Sequence, residues 1–236
     1  MNKIYHLYKT FYPFTHGGVE SYIDSIINNK NKFDHYLISI GDKKFNNKKK
    51  IIFKKTLSYA SDIISIDLLI FIYKNINKKS DLIHLHSPWP SMEMFLLIFG
   101  YKNIVVTYHS DIIRQKFINF FYRPFNIIFL KNNVQKIIAT SKKYAETSKV
   151  LNKIEKNKIS IIPIGISYIL KPSEIKLDNR KNYILFIGSN RSYKGIPLLE
   201  IIIRSSNNKF VLIGSDLSKL KKYKNTKVYE RISEKR

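Results

Sequence analysis

The hydrophobic residues of this chain fall into short apolar runs that alternate with segments of helical periodicity. In residues 19–27, five apolar side chains recur at the spacing of one helix face, namely Val19, Tyr22, Ile23, Ile26 and Ile27. The short apolar runs between such segments predict strands. Alternation of this kind is typical of βαβ units, in which helices join parallel strands. The pattern therefore predicts an α/β fold built on parallel sheets.

The predicted elements divide the chain into two parts. Strands are expected at 3–8, 35–40, 51–54, 81–86, 104–108, 136–139, 158–162, 183–187, 209–213 and 227–229, and helices at 19–27, 63–76, 88–99, 117–132, 142–151, 196–204 and 217–223. Residues 1–165 predict one complete Rossmann-like domain, residues 166–181 a polar connector, and residues 182–236 the first part of a second Rossmann-like domain. Three strands leave an open edge and a face without helices, so we expect the second domain to be incomplete.

The composition is that of a folded, strongly basic protein. Of 236 residues, 44% are hydrophobic, which suffices for a sizeable core. The chain has no cysteine, which excludes disulfides and thiolate metal sites and agrees with a reducing cytoplasm. From the sequence we expect no secretory leader at Met1, and no run of roughly 18 apolar residues is present that would predict a membrane span. The expected location is the cytoplasm. Peripheral attachment to the inner face of the cytoplasmic membrane is a second option that the sequence leaves open.

The formal net charge of +25 admits three interpretations. They are binding to nucleic acid, attraction to an anionic membrane or substrate, and a codon bias toward lysine, asparagine and isoleucine. The basic residues are spread along the whole chain, which favours codon bias. The sequence contains no recognition helix, aromatic RNA-binding signature or zinc finger, so we expect no nucleic-acid partner. A basic nucleic-acid-binding protein remains a remote alternative.

Two glycines precede the first predicted helix, in the segment 15–20 (THGGVE). Gly17 and Gly18 allow a ligand to approach the backbone closely, and the N–H groups at the start of a helix suit a diphosphate. The alternative is structural, because many parallel-sheet proteins place glycines here only to turn the chain.

Histidines lie near the end of the strand predicted at 81–86, in the segment 81–88 (DLIHLHSP). His84 and His86 alternate onto one face of this strand, beside the edge where parallel sheets bind ligands. A metal pair is one interpretation, but the sequence offers no third ligand at suitable spacing. The favoured interpretation is a pair of buried, hydrogen-bonded histidines.

A further histidine follows the next strand, in the segment 107–111 (TYHSD). His109 is placed to donate a hydrogen bond into a cleft or to transfer a proton. Asp111 is placed to orient His109 or to bind a sugar hydroxyl. A structural role for both residues is the alternative.

The loop 187–195 (IGSNRSYKG) follows the first strand of the second part. Arg191 and Lys194 suit phosphate binding by charge and by direct hydrogen bonds. The glycine and lysine spacing of a P-loop is absent. The alternative is an ordinary basic loop in a very basic protein.

In their order along the chain, these motifs resemble the retaining glycosyltransferases of family four, which have the GT-B fold. The order is a glycine pair with Val-Glu, Asp-x-Ile-His-x-His, Thr-Tyr-His-Ser-Asp-Ile, Ala-Thr-Ser, Ile-Pro-x-Gly-Ile and Gly-x₅-Lys-Gly. The likeness covers essentially the whole chain. The segment 109–116 (HSDIIRQK) resembles bacterial members that build surface polysaccharide, including mannosyl- and rhamnosyltransferase-like enzymes.

The resemblance implies two Rossmann-like domains facing a cleft, the first for the acceptor and the second for a nucleoside diphosphate sugar. It implies that Gly17 and Gly18 lie against the phosphates or sugar of the donor, and that His109 lies near the reacting sugar. It also implies that Arg191 and Lys194 neutralise the leaving diphosphate. On this basis we expect no metal and no other cofactor.

Two further candidate substrate-binding residues are Asp111 and Ser141, the latter from the Ala-Thr-Ser motif. The chain also departs from the family pattern at two places. Ser189 stands where the family usually has arginine, and Arg191 is the residue that would compensate. The Glu-x₇-Glu element and the last helix of the family would lie beyond Arg236.

The main expectation is a glycosyltransferase that moves a sugar from a nucleoside diphosphate sugar to a lipid-linked or polysaccharide acceptor, with retention of configuration. The basic, aromatic segment 114–136 is expected to rest on anionic lipid, and a core helix with inward-facing aromatics is the alternative. A second hypothesis is a truncated, inactive glycosyltransferase fragment, which would show little donor turnover by itself.

Overall fold

The computed structural model describes residues 3–15, 17–29, 32–59, 61–112, 116–165, 182–191 and 194–230, and of residues 116–119 only the backbone. The predicted connector 166–181 lies outside the described residues, as do His16, Arg114, Ser192 and Tyr193. The chain forms two compact units, Met1–Tyr168 and Ile169–Arg236.

An eight-stranded sheet forms the centre of the first unit, and a two-stranded antiparallel hairpin accompanies it. The strands are β1 (Lys3–Leu7), β2 (Asp34–Gly41), β3 (Phe45–Asn46), β4 (Lys50–Lys54), β5 (Leu57–Tyr59), β6 (Asp62–Ile64), β7 (Leu82–Ser87), β8 (Ile104–Tyr108), β9 (Val134–Ala139) and β10 (Ile159–Ile161). The order in the large sheet is β10-β9-β8-β7-β1-β2-β4-β3. Its neighbouring strands are parallel apart from the antiparallel pair β3 and β4.

Helices cover both faces of this sheet. They are α1 (Gly18–Asn28), α2 (Ile66–Asn75), α3 (Pro90–Ile98), α4 (Lys116–Asn132) and α5 (Lys142–Thr147), followed by single 3₁₀ turns at Leu151–Lys153 and Lys156–Lys158. On one face, buried side chains of α2, α3 and α4 join the strands in the larger core. On the other face, Ile23 and Ile27 of α1 pack with Leu37 and Ile52. The sheet is thus enclosed as expected for parallel strands.

Two predicted helices differ from the observed ones for local reasons. The helix expected at 63–76 begins only at Ile66, because residues 62–64 pair with β5 as strand β6. Asp62 fixes this strand by accepting hydrogen bonds from the backbone N–H and the hydroxyl of Ser91. Ser65 then caps α2 by accepting from the backbone N–H of Leu68. The helix expected at 142–151 ends at Thr147, and Leu151 lies in a 3₁₀ turn.

The second unit is a three-stranded parallel sheet with one α-helix among its described residues. Its elements are β11 (Ile184–Ile187), α6 (Ile196–Ser205), β12 (Phe210–Ile213), a 3₁₀ helix (Ser218–Lys222) and β13 (Thr226–Tyr229). A small core joins the helix to the sheet, with Ile203, Phe210 and Leu212 at its centre. Strand β11 keeps apolar side chains exposed, including Ile187 at 66%.

One glycine of this second unit is required by close packing. Gly214 follows β12 with φ at +151°, and a Cβ there would collide with the carbonyl oxygen of Gly188. The loops that follow β11 and β12 therefore approach each other closely at the C-terminal edge of this sheet. The backbone N–H of Asn190 also donates to the carbonyl of Ser215 across this contact.

A buried carboxylate ties α3, α4 and β7 together in the first unit. Glu93 is 1% exposed and accepts hydrogen bonds from the hydroxyl of Ser87 (2.7 Å) and the backbone N–H of Trp89 (3.1 Å). Its other oxygen accepts from the hydroxyl of Tyr122 and the side-chain amide of Asn126. Four donors thus satisfy one carboxylate, which offsets the cost of burying it.

We predict that Glu93→Ala destabilises the protein by at least about 3 kcal/mol, because four buried donors lose their acceptor. The measurement is urea unfolding followed by circular dichroism. The control is Glu146→Ala, since Glu146 is exposed and makes only a surface ion pair with Lys142, and it should change stability by under about 0.5 kcal/mol. Equal stability of the two variants would contradict this role of Glu93.

Candidate functional site

His109 lies at the C-terminal edge of the large sheet, directly after β8. Its backbone N–H donates to the carbonyl of Ser87 at 3.0 Å, which extends the pairing of β7 and β8 by one residue. The rings of Tyr8 and Tyr22 lie 6.4 Å and 6.1 Å from the His109 ring, and the ring of His86 lies 5.5 Å away. His109 is half-buried among these rings. The position is that of ligand-binding residues in open parallel sheets.

Four histidines from four neighbouring strands form a continuous hydrogen-bonded row, here called the histidine chain. Its members are His35 at the start of β2, His6 in β1, His86 in β7 and His109 after β8. His35 Nδ1 lies 2.8 Å from His6 Nε2, His6 Nδ1 lies 3.3 Å from His86 Nε2, and His86 Nδ1 lies 3.2 Å from His109 Nε2. Three of the four rings are buried.

The register of the parallel strands brings these histidines together. Side chains alternate along a strand, so β1 directs Tyr5 and Leu7 into the larger core and His6 toward the opposite face. His6 is the register partner of His84, and His86 is the partner of Thr107. The prediction that the two β7 histidines share a face and are hydrogen-bonded is confirmed, since His84 Nε2 lies 2.7 Å from Thr107 Oγ1.

The sequence reasoning missed His6 and His35 as members of this cluster. A signal was available, because a single polar residue between Tyr5 and Leu7 in a buried strand has to find a polar partner. The partner itself is set by strand order, which places β1 between β7 and β2.

Burial keeps these histidines uncharged. Loss of hydration lowers the pKa of His109 to about 4 and the pKa of His84 to about 3. Burial, and then repulsion from neighbouring histidines, holds the pKa values of His6 and His86 well below the usual range. At neutral pH the cluster is therefore a set of neutral imidazoles, each with one N–H donor and one acceptor nitrogen.

Three of the histidines are close enough together to be examined as metal ligands. His6, His84 and His86 each offer a ring nitrogen, and these nitrogens lie within 4.8 Å of one another. The rings of His6 and His86 point directly at each other, however, with nitrogens 3.3 Å apart. This arrangement fits a hydrogen bond better than a metal centre, and the expectation of no metal stays a prediction.

The glycine pair lies at the start of α1, and a carboxylate reaches it. Gly17 is the N-cap residue, and the side chain of Glu20 folds back so that a Cβ at Gly17 would collide with its carboxylate. Glu20 is buried and accepts from the hydroxyl of Thr10 at 2.7 Å. The space beside Gly18 is open. Of the two predicted phosphate-facing glycines, Gly18 is therefore the more accessible, and their role stays a prediction.

The first strand carries further residues to the same edge of the sheet. Burial raises the pKa of Tyr8, with a smaller contribution from Glu20. Burial lowers the pKa of Lys9, and the negative charges of Asp62, Glu93 and Glu20 offset part of this shift because they raise the pKa. Sequence reasoning did not select Tyr8 or Lys9. Their position directly after a strand was the available signal.

Asp111 and Ser141 both have structural partners. Asp111 accepts hydrogen bonds from the hydroxyls of Tyr108 and Ser148 and from the backbone N–H of Lys149. It thereby joins the loop after β8 to the loop after α5. Ser141 is the N-cap of α5 and accepts from the backbone N–H of Tyr144. Substrate binding by either residue stays a prediction.

In the second unit, the predicted phosphate loop connects β11 to α6. Arg191 and Lys194 are exposed, and the Arg191 carbonyl accepts from the Lys194 backbone N–H at 2.9 Å. The Lys194 stem folds toward Gly188, and α6 begins after Gly195, whose φ is +69°. A pocket of 210 Å³ opens at the start of α6, and its lining includes Asn190, Ile196 and Asp216. The loop therefore combines exposed positive charge with a helix start.

Comparison with known proteins supplies the family. The model of Glycosyltransferase Family 4 matches residues 16–168, which is more than half of the chain. The chain belongs to glycosyltransferase family 4. The match includes the segment of the glycine pair, both histidines of β7, and His109.

Two relatives of this family-4 chain are named as transferases of particular sugars. It is 30% identical over 231 residues to the O-antigen chain mannosyltransferase C of Escherichia coli, with 90% of this chain and 60% of the relative covered. It is 27% identical over 229 residues to the D-rhamnosyltransferase WbpZ of Pseudomonas aeruginosa, with 90% and 59% covered. The chain thus spans about three fifths of the length of these relatives.

Solved structures support the fold of the family-4 chain. Anabaena Alr3699/HepE, determined in complex with UDP and glucose, matches with a TM-score of 0.63 at 14% identity, covering 98% of this chain and 70% of that one. The N-terminal domain of Candida albicans trehalose-6-phosphate phosphatase matches with a TM-score of 0.60 at 13% identity, covering 99% and 73%. The predicted α/β fold of GT-B type is confirmed.

We predict that stability falls as the pH is lowered from about 7 toward about 4. The folded-state pKa values of the clustered histidines lie below the unfolded value of about 6.5, so the unfolded chain binds more protons in this range. The histidines lower the stability least above about pH 6.5, where they are neutral in the folded and the unfolded chain. As the pH falls from about 6.5 toward the folded-state pKa of a histidine, that histidine lowers the free energy of unfolding by up to about 1.4 kcal/mol per pH unit.

Urea unfolding at a series of pH values measures this slope. A His86→Gln variant removes one titrating ring and should give a shallower slope than the wild-type protein. Unfolding free energies that do not change between about pH 7 and about pH 5 would show that the histidines are not buried as described.

Proposed function

We propose that this chain forms the acceptor-side domain and the donor-phosphate loop of a glycosyltransferase for bacterial surface polysaccharide. The reaction would move a sugar from a nucleoside diphosphate sugar to a glycan or lipid-linked acceptor, with retention of configuration. The observation that carries the proposal is the position of His109, neutral and half-buried at the C-terminal edge of the sheet. The similarity to an O-antigen chain mannosyltransferase supports a surface polysaccharide as the product, and the similarity to a D-rhamnosyltransferase supports sugar transfer.

Two features support a nucleoside diphosphate sugar as the donor. The Anabaena structural neighbour is described in complex with UDP and glucose. Arg191 and Lys194 are exposed in the loop before α6, where positive charge at the start of a helix suits a diphosphate. In this proposal the basic side chains stabilise the leaving diphosphate, which is the work that a metal ion does in other transferases. The proposal therefore includes no metal and no other cofactor.

The proposed role of His109 follows from its charge state. An imidazole with a pKa of about 4 is neutral at physiological pH, so it does not provide a positive charge for the diphosphate. A neutral ring donates one hydrogen bond and accepts another. We assign His109 to hydrogen bonding with the reacting sugar, where a bond that strengthens in the transition state accelerates the reaction.

The aromatic helix α4 supports peripheral contact with an anionic membrane. Tyr122 and Phe129 face the core, whereas Phe120 is 75% exposed, Phe121 56% and Phe125 47%. The core-helix interpretation thus describes one side of the helix, and the exposed aromatics on the other side support the proposed membrane contact. None of the helices in the described part of the chain combines the length and the hydropathy that a membrane span needs. A helix with exposed aromatics on a basic protein suits the surface of a bilayer.

We predict that the protein co-sediments with vesicles that contain anionic phospholipid, and that Phe120→Ser with Phe125→Ser weakens this binding by about tenfold, as expected for two lost apolar contacts. Tyr59→Ser is the matched control, because Tyr59 is 71% exposed in β5 and lies outside α4. Equal binding of all three proteins would contradict contact through α4. Absence of binding by the wild-type protein would remove the membrane from the proposal.

We predict that His109→Ala lowers kcat for sugar transfer by at least about 100-fold while donor Kd changes by under about threefold. The assay measures nucleoside diphosphate released from a panel of nucleotide sugars by the protein that carries this chain, and donor binding by calorimetry. Ser110→Ala, at the exposed neighbouring position, is the control. A loss confined to Kd would remove His109 from the chemical step. Lack of release from every nucleotide sugar would overturn the donor class.

A further inference from the structure

His86 and His109 face each other edge to edge at the C-terminal edge of the large sheet. His86 Nδ1 lies 3.2 Å from His109 Nε2, the ring centres are 5.5 Å apart, and the ring planes are inclined by 17°. Each nitrogen lies roughly 1.1 Å from its ring centre, so the two nitrogens are as close as this separation of the centres allows. They therefore lie on the line between the centres, where an N–H and a lone pair meet in a well-directed hydrogen bond.

This bond leaves one nitrogen of His109 for a ligand. Whichever of the two rings donates, His86 occupies Nε2 of His109, because a ring nitrogen is either one donor or one acceptor. Among the residues that the structure describes, none is hydrogen-bonded to Nδ1 of His109, and this atom is not one of the buried polar atoms without a partner. The half-buried ring thus offers Nδ1 on its accessible side.

The fold holds the ring of His86 more firmly than the ring of His109. The His86 ring is fully buried in β7, and its second nitrogen, Nε2, lies 3.3 Å from His6 Nδ1. His109 lies just beyond the end of β8 and is half-buried. The rings of Tyr8 and Tyr22 flank both histidines, at 6.2 and 6.0 Å from His86 and at 6.4 and 6.1 Å from His109. His86 is therefore a fixed point against which His109 can be oriented.

We propose that His86 is a positioning residue that holds His109 by its Nε2, so that Nδ1 of His109 is the atom that meets the reacting sugar. This role rests on the proposed function of His109 in sugar transfer. A histidine side chain rotates about two bonds, and rotation about the second bond alone would exchange the two edges of the ring. The bond to His86 selects one orientation before substrate arrives, which removes a rearrangement from the reaction.

Two substitutions of His86 separate its two hydrogen bonds. The amide of asparagine is as many bonds from the backbone as Nδ1 of histidine, so His86→Asn keeps a partner for His109 and loses the one for His6. The amide of glutamine corresponds to Nε2, so His86→Gln keeps the partner for His6 and loses the one for His109. An amide group both donates and accepts, so it can pair with His109 in either direction. The two variants are matched, because each loses one buried hydrogen bond.

We expect His86→Gln to lower kcat for sugar transfer by at least about tenfold while donor Kd changes by under about threefold, and His86→Asn to retain at least about fivefold more of kcat than His86→Gln. The assay measures nucleoside diphosphate released by the protein that carries this chain. A purely structural role of His86 predicts similar losses in both variants. Equal kcat values in the two folded variants would therefore overturn the proposal.

A measurement without donor or acceptor decides the geometry. In protein with ¹⁵N-labelled histidine, a hydrogen bond between two imidazoles gives a magnetic coupling between the two nitrogens that share the proton. We expect this coupling between His86 Nδ1 and His109 Nε2 in the wild-type protein. Nuclear Overhauser contacts from the His109 ring to the rings of Tyr8 and Tyr22 should persist in His86→Asn and weaken in His86→Gln.

Absence of the coupling in the wild-type protein, or a coupling to Nδ1 of His109 instead, would overturn the proposal even if a variant fails to fold. The coupling and the ring contacts do not involve substrate. If they are as expected and no nucleotide sugar is turned over, the proposed function fails and the positioning of the His109 ring by His86 stands. If sugar transfer occurs without the coupling, only the positioning role of His86 fails.

Discussion

The site depends on the register of four parallel strands, β2, β1, β7 and β8. Parallel pairing aligns their carboxyl ends at one edge and keeps alternate side chains on one face. With His6 opposite His84, and His86 opposite Thr107, the histidine rings of neighbouring strands meet within hydrogen-bonding distance. A shift of one residue in any of these pairings would turn a histidine into the aliphatic core on the other face. The same register places His109 beside the end of β7.

The first unit buries polar groups in two different ways around this edge. Glu93 is surrounded by four donors, so an acidic group is accommodated among α3, α4 and β7. The histidines of the row stay neutral instead, because burial lowers their pKa values. Both solutions avoid an unpaired buried charge. The hydrogen bonds of Tyr122 and Asn126 to Glu93, and those between the histidines, also join elements that are distant in the sequence.

Membership in glycosyltransferase family 4 gives this architecture its functional context. A neutral histidine at the edge of the first sheet and a basic loop before a helix in the second unit are complementary parts of the proposed reaction, one for the sugar and one for the diphosphate. In the proposed reaction, the exposed aromatics of α4 would add a surface for a lipid-linked acceptor.

The sequence by itself determined the fold class and most of the elements. Apolar runs and helical periodicity predicted the parallel strands and the helices, and motif order identified the family. It missed the hairpin strand β6, where the carboxylate of Asp62 reaches Ser91 and overrides an apolar run that looked helical. It selected His84, His86 and His109 but not His6 or His35, and it could not show which loops the oxygens of Asp111 join. Only the tertiary structure decided these points, because strand order and register determine which distant polar side chains become neighbours.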